Sequence, residues 1–246
     1  MYNNINKLGG NMGKVIFFAR YNRLDNYHST DMPQFRLSTE DSDEESLEGD
    51  IKNELMNSYH ECSFIYKDTI IIDEITFRRY SCTFTYSVTV EGFTSGSEFH
   101  SYQKKVRFFG YVPNESNFIF FGVKTDIGRK YIKSINSKSG VVYFESVIIN
   151  FNHIEAFASR VVGVWIRFNN IEVSAKSLQG NDLINVPEYK RAKDLGTFSS
   201  LQIEYEFNGN ILQPLISKKN SIFLIQNIDV ETCLLLSYRI VCDLFR

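Results

Sequence analysis

Three charged residues in the second half of the sequence are of the types that metal-dependent nucleases use. Glu188 and Lys190 form a Glu-x-Lys pair, and Asp182 precedes them. In such a site, carboxylates hold a magnesium ion while the lysine steadies the attacking water. Asp73 is a further candidate ligand. Pro187 predicts instead that the pair begins a helix, and the alternative to a catalytic site is an exposed helix with Lys190 in water.

Basic residues that alternate with polar and aromatic ones indicate a second kind of chemistry, nucleic-acid binding. Arg79 shares the polar face of a predicted strand with Ser81 and Thr83, while Lys105 and Arg107 alternate with apolar residues on a strand expected nearby. A basic sheet face can follow a phosphate backbone and stack bases on its aromatic neighbours. A predicted helix with three more basic residues would extend this surface: Arg129, Lys130 and Lys133.

A zinc site would recruit His60, Glu61 and Cys62, together with Cys82 from a neighbouring strand. Because adjacent residues on a strand point to opposite faces, His60 and Cys62 share a face that Glu61 does not. We therefore expect thiols without a ligand role, no bound metal and no cofactor. The cysteines show no CxxC spacing, so we predict reduced thiols in a cytoplasmic protein.

Residues 38–50 concentrate negative charge, with seven acids and no basic residue. Counted as a calcium loop from Asp41, this run puts Ser46 where a glycine is required and Lys52 where a glutamate is required. A solvated loop is the better interpretation. The whole chain has a formal net charge of −2, and leaving out those seven acids changes it to +5. A pI of about 6.1 argues against a protein dedicated to nucleic-acid binding.

The sequence pattern of the elements that must position these residues predicts an α+β fold. The fold should consist mainly of antiparallel sheets, built from meander hairpins, with a few short helices. The apolar run at 14–21 predicts a strand buried on both faces. From Cys62 to Val123, apolar and polar residues alternate with period two. Turn residues at Lys67–Asp68, 92–96 and Pro113–Asn114 then predict an antiparallel meander. Residues 22–50 lack periodicity and predict a loop, and 46–59 fit a short helix.

The second half predicts more helices and further hairpins. Thr125 to Lys138 has helical spacing and is followed by Gly140, which ends helices well. Asn208-Gly209 is a strong hairpin signal. Asp229 should cap a closing helix from Val230 to Phe245, whose narrow polar stripe predicts broad packing. Shorter predicted segments are strands at 141–149, 161–168, 171–175 and 211–216, a helical connection at 152–159 and a turn at Asn169–Asn170.

Domain organisation is predicted in three parts. Residues 1–11 form a disordered or non-native leader, because the codons for Leu8 to Met12 can spell a ribosome-binding site before a start at Met12, as in a bacterial gene. An N-terminal sheet portion covers 12–124, and an α+β portion covers 125–246, with one continuous domain as the alternative. No apolar run approaches the roughly 20 residues of a membrane span.

The function predicted from these features is a non-catalytic intracellular protein that acts through an unidentified protein partner. The acidic loop at 38–50 and the last helix are the expected docking elements. The alternative is a nucleic-acid-binding protein with a basic sheet face, and the second alternative is a metal-dependent nuclease. A role in phage defence or on a mobile element is a base-rate expectation for such bacterial proteins, and no residue indicates it.

Overall fold

The computed structural model describes residues 14–23, 35–37, 62–94, 97–138, 142–168, 175–226 and 228–246. The chain forms two compact units, and we call residues 19–145 the central unit and residues 1–18 with 146–246 the terminal unit. Within the described ranges the fold is mostly antiparallel sheet with four helices, one of them C-terminal, which confirms the predicted α+β class.

Strand β1 (Lys14–Arg23) runs through both units. Ile16, Phe17, Phe18 and Ala19 are buried in succession, so the strand is covered on both faces, as its apolar run predicts. In the terminal unit its first residues pair with β13, and in the central unit its last residues pair with β7.

The central unit contains seven further elements. They are β2 (Phe35–Leu37), β3 (Cys62–Ile72), β4 (Ile75–Thr94), β5 (Ser97–Pro113), β6 (Phe118–Phe121), α1 (Thr125–Lys138) and β7 (Val142–Glu145). The strand order is β2-β3-β4-β5-β6-β1, with β7 also paired to β1. Strands β3, β4 and β5 each pair antiparallel with the next strand in the chain.

The prediction of a turn at Lys67–Asp68 is wrong. Both residues lie inside β3, where a bulge shifts the register between Tyr66 and Asp68. The chain turns instead at Asp73 and Glu74, which adopt positive φ angles of 47° and 65°. The run of three isoleucines at 70–72 carries the strand past the polar pair, because β-branched residues favour extended backbone.

The prediction of a loop throughout 22–50 is also wrong, because β1 continues through residues 22–23 and a second strand lies at 35–37. These residues form β2, which pairs antiparallel with β3 from Phe35 opposite Phe64 to Leu37 opposite Cys62. A strand of three residues is too short to show an alternating pattern. Five of the predicted features lie outside the described residues. They are the leader, the acidic run at 38–50, the helix at 46–59, Gly140 and the Asn169–Asn170 turn.

Helix α1 has the predicted bounds and packs on one face of the central sheet, which we call the inner face. Tyr131 and Ile135 are fully buried, while Ile127 is half-buried. The Tyr131 hydroxyl donates a hydrogen bond of 2.8 Å to the carbonyl of Ser63 on β3. Its ring makes edge contacts with three inner-face phenylalanines at centroid distances of 5.0–5.8 Å: Phe84, Phe108 and Phe121.

The terminal unit combines six strands that follow β1 with three helices. They are α2 (Phe151–Phe157), β8 (Arg160–Arg167), β9 (Ala175–Gln179), α3 (Pro187–Asp194), β10 (Phe198–Phe207), β11 (Asn210–Leu212), β12 (Leu215–Ser217), β13 (Ser221–Leu224) and α4 (Val230–Leu244). The strand order is β1-β13-β12-β10-β8-β9, with β11 paired to β10.

Several strand predictions in this half need correction. The strand predicted at 211–216 is two strands, β11 and β12, separated at Gln213 and Pro214, since proline has no N–H for a sheet ladder. The strand predicted at 141–149 ends at Glu145, although alternating burial continues through Val147 and Ile149.

The Asn208–Gly209 hairpin is present as predicted, with φ of 51° at Asn208 and 74° at Gly209.

Helix α4 closes the terminal unit as predicted. The Asp229 carboxylate accepts a hydrogen bond of 2.8 Å from the Thr232 N–H and caps the helix. Eight of its residues are buried: Cys233, Leu234, Leu235, Leu236, Ser237, Ile240, Val241 and Leu244. No helix in the described part of the chain is long and apolar enough to cross a membrane.

Candidate nucleic-acid interface

The register of β4 and β5 brings the basic residues of these strands onto one face of the central sheet. Arg107 lies opposite Thr83, and Lys105 lies opposite Thr85. Side chains that face each other across an antiparallel pair project from the same side, and every second residue of a strand shares that side. Arg79 therefore shares a face with Lys105 and Arg107, on the side of the sheet opposite α1.

A fourth cation, Lys67, joins this face through the bulge in β3. The bulge leaves Lys67 without an opposite residue on β4. Its ammonium nitrogen lies 4.8 Å from the centroid of the Phe109 ring, and the Arg79 guanidinium carbon lies 5.1 Å from the same centroid. We call Lys67, Arg79, Lys105 and Arg107 the basic face. Lys67 is absent from the predicted surface because Lys67–Asp68 has the composition of a turn.

Arg79 is held in place by an ion pair with Asp68, the residue opposite it on β3. Arg79 Nε donates to Asp68 Oδ1 at 2.7 Å, and Arg79 Nη2 donates to Asp68 Oδ2. The hydrogen bonds from Arg79 hold the pKa of the Asp68 carboxyl below its usual range, against a smaller opposing effect of burial. Across the other strand, burial raises the pKa of Tyr111, and Arg79 partly offsets the increase.

The basic face changes from buried to exposed along its length. At one end Phe77 is fully buried and Tyr111 is 6% exposed. Arg79 lies next, with 24% of its side chain exposed. Towards the other end Lys105 and Arg107 are exposed, although Thr83, which lies on β4 opposite Arg107, is buried. The exposed cations therefore lie along β5, with Lys67 beside them.

The three basic residues of α1 are exposed but do not extend the basic face. Helix α1 packs on the inner face through Tyr131, and the Lys130 ammonium lies 5.2 Å from the ring centroid of Tyr86, which shares that face with Phe84. Arg129 and Lys133 are exposed on the same helix. The basic residues of α1 and the basic face therefore form two separate surfaces on opposite sides of the sheet, and not the single surface expected from the sequence.

No protein-family model matches the chain, and no curated protein sequence matches it.

The nuclease candidates lie on an exposed helix and the loop before it. Glu188 and Lys190 are exposed on α3, which begins at Pro187 as predicted. Asp182 is exposed, and its Oδ1 accepts a hydrogen bond of 3.3 Å from the Ile184 N–H. Asp73 lies in the β3–β4 turn of the central unit. The described residues contain no group of three or more His, Cys, Asp or Glu placed to hold a metal ion.

Tyr189, which lies between Glu188 and Lys190 on α3, is buried. The Tyr189 hydroxyl donates to Glu155 Oε1 at 2.5 Å, and Lys193 Nζ donates to Glu155 Oε2 at 2.5 Å. Burial raises the pKa of Tyr189, and the bond to Glu155 adds to the increase. This network joins α2 to α3, so its evident role is to hold the two helices together.

A small, half-open cleft of about 280 Å³ lies beside this network in the terminal unit. Lys193 and Lys218 line it, together with Asp194, and the rings of Phe151 and Phe198 form part of its wall. The lining therefore carries charges of both signs, and Lys193 is already paired with Glu155.

The two cysteines considered for zinc lie in the aromatic core of the central unit. Cys62 and Cys82 are fully buried. Burial raises the pKa of Cys82 to about 12, and a hydrogen bond with Tyr131 only partly offsets this. Burial likewise raises the pKa of Tyr131 well above its usual value. Without a bound metal, thiols in such surroundings stay protonated. His60 and Glu61 lie outside the described residues.

Proposed function

We propose that this chain is a non-catalytic binding protein whose ligand is nucleic acid and whose binding surface is the basic face. The observation that carries the proposal is the register of β4 and β5, which sets Lys105 and Arg107 on the same side of the sheet as Arg79. Cations that share one side of a paired sheet can meet several phosphates of one nucleic-acid strand.

The spacing of the exposed cations supports contacts to separate phosphates. Lys105 and Arg107 are two residues apart on β5, and strand residues rise by about 3.4 Å each, so their Cα atoms lie about 7 Å apart. Both side chains are exposed, and both are long enough to reach a backbone above the sheet. Lys67 adds a third exposed cation close to Arg107 through its contact with Phe109.

The charge balance predicts modest affinity. The chain as a whole is slightly acidic, with a formal net charge of −2, so it lacks the long-range attraction of a strongly basic protein. Non-specific binding by a few phosphate contacts typically gives dissociation constants of about 10⁻⁴–10⁻⁶ M at physiological salt. The proposal places the protein in the cytoplasm, where its free cysteines would remain reduced.

The test is fluorescence anisotropy of a labelled single-stranded 20-mer with the purified full chain, repeated from about 50 to 200 mM salt. We expect saturable binding that weakens with salt. Lys105→Gln/Arg107→Gln should weaken it about tenfold or more. The matched control is Arg129→Gln/Lys133→Gln, which removes the same number of charges from the opposite side of the sheet. Equal affinity in both double variants, or no binding by the wild type, would refute the proposal.

A protein partner is the second candidate function, and the long β4–β5 ribbon favours it. Beyond Phe84, β4 pairs with β5 from Thr85 opposite Lys105 to Thr94 opposite Ser97. Neither strand of this stretch pairs with another strand among the described residues. Two-stranded ribbons are marginally stable alone, and their edges are templates for a strand from a partner.

The partner hypothesis has its own test. Tyr102 lies on the ribbon and is 46% exposed. A protein that co-purifies with the full chain from its natural host and is lost in Tyr102→Glu, but not in Tyr143→Glu, would support the ribbon as the docking element. Tyr143, with 45% exposure on β7, is the control. Co-purification that both variants retain would exclude the ribbon.

A further inference from the structure

The aromatic rings on the basic face determine which part of a nucleic acid it can recognise. Proteins that bind single strands usually stack bases on exposed aromatic rings. On β4 and β5, the side of the sheet that carries the basic face has three aromatic rings among the described residues, of which Phe77 and Tyr111 are buried and Phe109 is half-buried. Phe109 is therefore the one of these three with surface available to a base.

Two cations already cover the ring of Phe109. The Lys67 ammonium lies 4.8 Å from its centroid, and the Arg79 guanidinium carbon lies 5.1 Å from it. A cation over a ring is attracted by the negative face of the ring. A base could stack there only after displacing one of them, and Arg79 is also held by Asp68.

The same ion pair limits base recognition by Arg79. An arginine that reads guanine uses two donors of its guanidinium fork at once. In this chain Arg79 Nε and Nη2 both donate to the Asp68 carboxylate. Arg79 therefore offers partly neutralised charge, and the exposed donors on the same side of the sheet are Lys67, Lys105 and Arg107.

We infer that the basic face binds the sugar–phosphate backbone and stacks no bases, so that its ligand is a phosphodiester chain of any sequence. This inference rests on the proposed function. It assigns Phe109 a positioning role, because the ring holds Lys67 and Arg79 at the surface beside Arg107. Phosphate contacts carry no sequence information by themselves.

The experiment compares three labelled 20-mers by anisotropy at one salt concentration: oligo(dT), oligo(dA) and an abasic deoxyribose–phosphate chain of equal length. The inference predicts dissociation constants that agree within about threefold, because the phosphate number is the same. Stacking on even one aromatic ring would favour the strands with bases by about fivefold or more. Binding of oligo(dT) with at least a fivefold weaker abasic chain would overturn the inference and leave the proposed function standing.

Phe109→Leu provides a second, independent arm. A leucine keeps an apolar side chain in the sheet, and thermal unfolding would show whether the variant remains folded. In the folded variant, the ratio of the oligo(dT) dissociation constant to the abasic dissociation constant should remain near one. This holds even if the loss of the ring misplaces Lys67 and weakens binding to both chains. A wild-type ratio that favours oligo(dT) and is abolished by Phe109→Leu would show stacking and overturn the inference. If the wild type binds none of the three chains, both the proposed function and this inference fail.

Discussion

Asp68 and Arg79 lie directly opposite each other on β3 and β4, and their side chains join through two hydrogen bonds. The bulge before Asp68 sets this register, because it leaves Lys67 without an opposite residue on β4 and places Asp68 opposite Arg79. The pair lies where the basic face changes from its buried end to its exposed end. It therefore fixes one cation in place and contributes one negative charge to the face.

Removing the Asp68 charge should strengthen nucleic-acid binding. Asp68→Asn eliminates a carboxylate that repels phosphate and frees the Arg79 fork to contact the ligand. We expect the dissociation constant to fall by about two- to fivefold, which corresponds to roughly 0.5–1 kcal/mol for a screened surface charge. Anisotropy with the 20-mer measures it. Glu74→Gln, in the nearby β3–β4 turn, is the control for net charge. A weaker-binding Asp68→Asn would contradict the account.

The same ion pair should make stability depend on pH in the acid range. The pKa of Asp68 is lower in the folded chain than the ordinary aspartate value of 3.8, so folding favours the carboxylate. This contribution is fully present above the unfolded pKa and is lost as the pH falls through the lower folded pKa. Because the Asp68 side chain is 40% exposed, the contribution is about 0.5 kcal/mol.

Urea unfolding of wild type and Asp68→Asn at pH 7 and at about pH 2.5 measures this contribution. The wild type should be the more stable at pH 7, and the difference should shrink at the lower pH. A difference that grows on acidification would show that the pair does not stabilise the folded chain.

Tyr131 should be the residue of α1 on which the central unit depends most. Tyr131→Phe removes the hydrogen bond to the Ser63 carbonyl and should cost about 1 kcal/mol of unfolding free energy. Tyr131→Ala also removes the ring that contacts Phe84 and Phe108, at a cost of about 3–5 kcal/mol. Tyr143→Phe, at a tyrosine that is 45% exposed, should change little. Urea midpoints measure all three, and an unchanged midpoint for Tyr131→Ala would be incompatible with this packing.

The cysteines should resist modification in the folded chain. Cys62, Cys82 and Cys233 are buried, and burial raises the pKa of both Cys82 and Cys233 to about 12. Cys242 is half-buried, and its pKa is also raised by burial. At pH 8 a disulfide reagent should react promptly with one thiol at most, and with all four after unfolding in guanidinium. Prompt reaction of two or more thiols in the folded chain would contradict the described core.

Local signals predicted the helices better than the strand edges. Thr125 to Lys138 carries helical spacing along its whole length, and Asp229 is a capping residue that acts on its own neighbours, so both predictions needed no tertiary information. The turn at Asp73–Glu74 was missed because Lys67–Asp68 has the composition of a turn and the strand tolerates it as a bulge. Strand β2 was missed because its pairing with β3, rather than its own pattern, makes it a strand.

The candidate site was predictable in part for the same reason. Alternation alone indicates that Lys105 and Arg107 share a face, since that follows from the period of a strand. Their position beside Arg79 depends on the pairing of β4 with β5, and the inclusion of Lys67 depends on the bulge. The side on which α1 packs is decided by Tyr131 and its contacts, which no spacing within the helix reveals.

The most direct test of the central claim is the salt dependence of nucleic-acid binding in the wild type and in Lys105→Gln/Arg107→Gln. The slope of the logarithm of the binding constant against the logarithm of the salt concentration changes by about 0.7 for each phosphate contact to a single strand. If both residues contact phosphate, the double variant should have a slope shallower by about 1.4. Parallel slopes for the two proteins would show that the basic face is not where the nucleic acid binds.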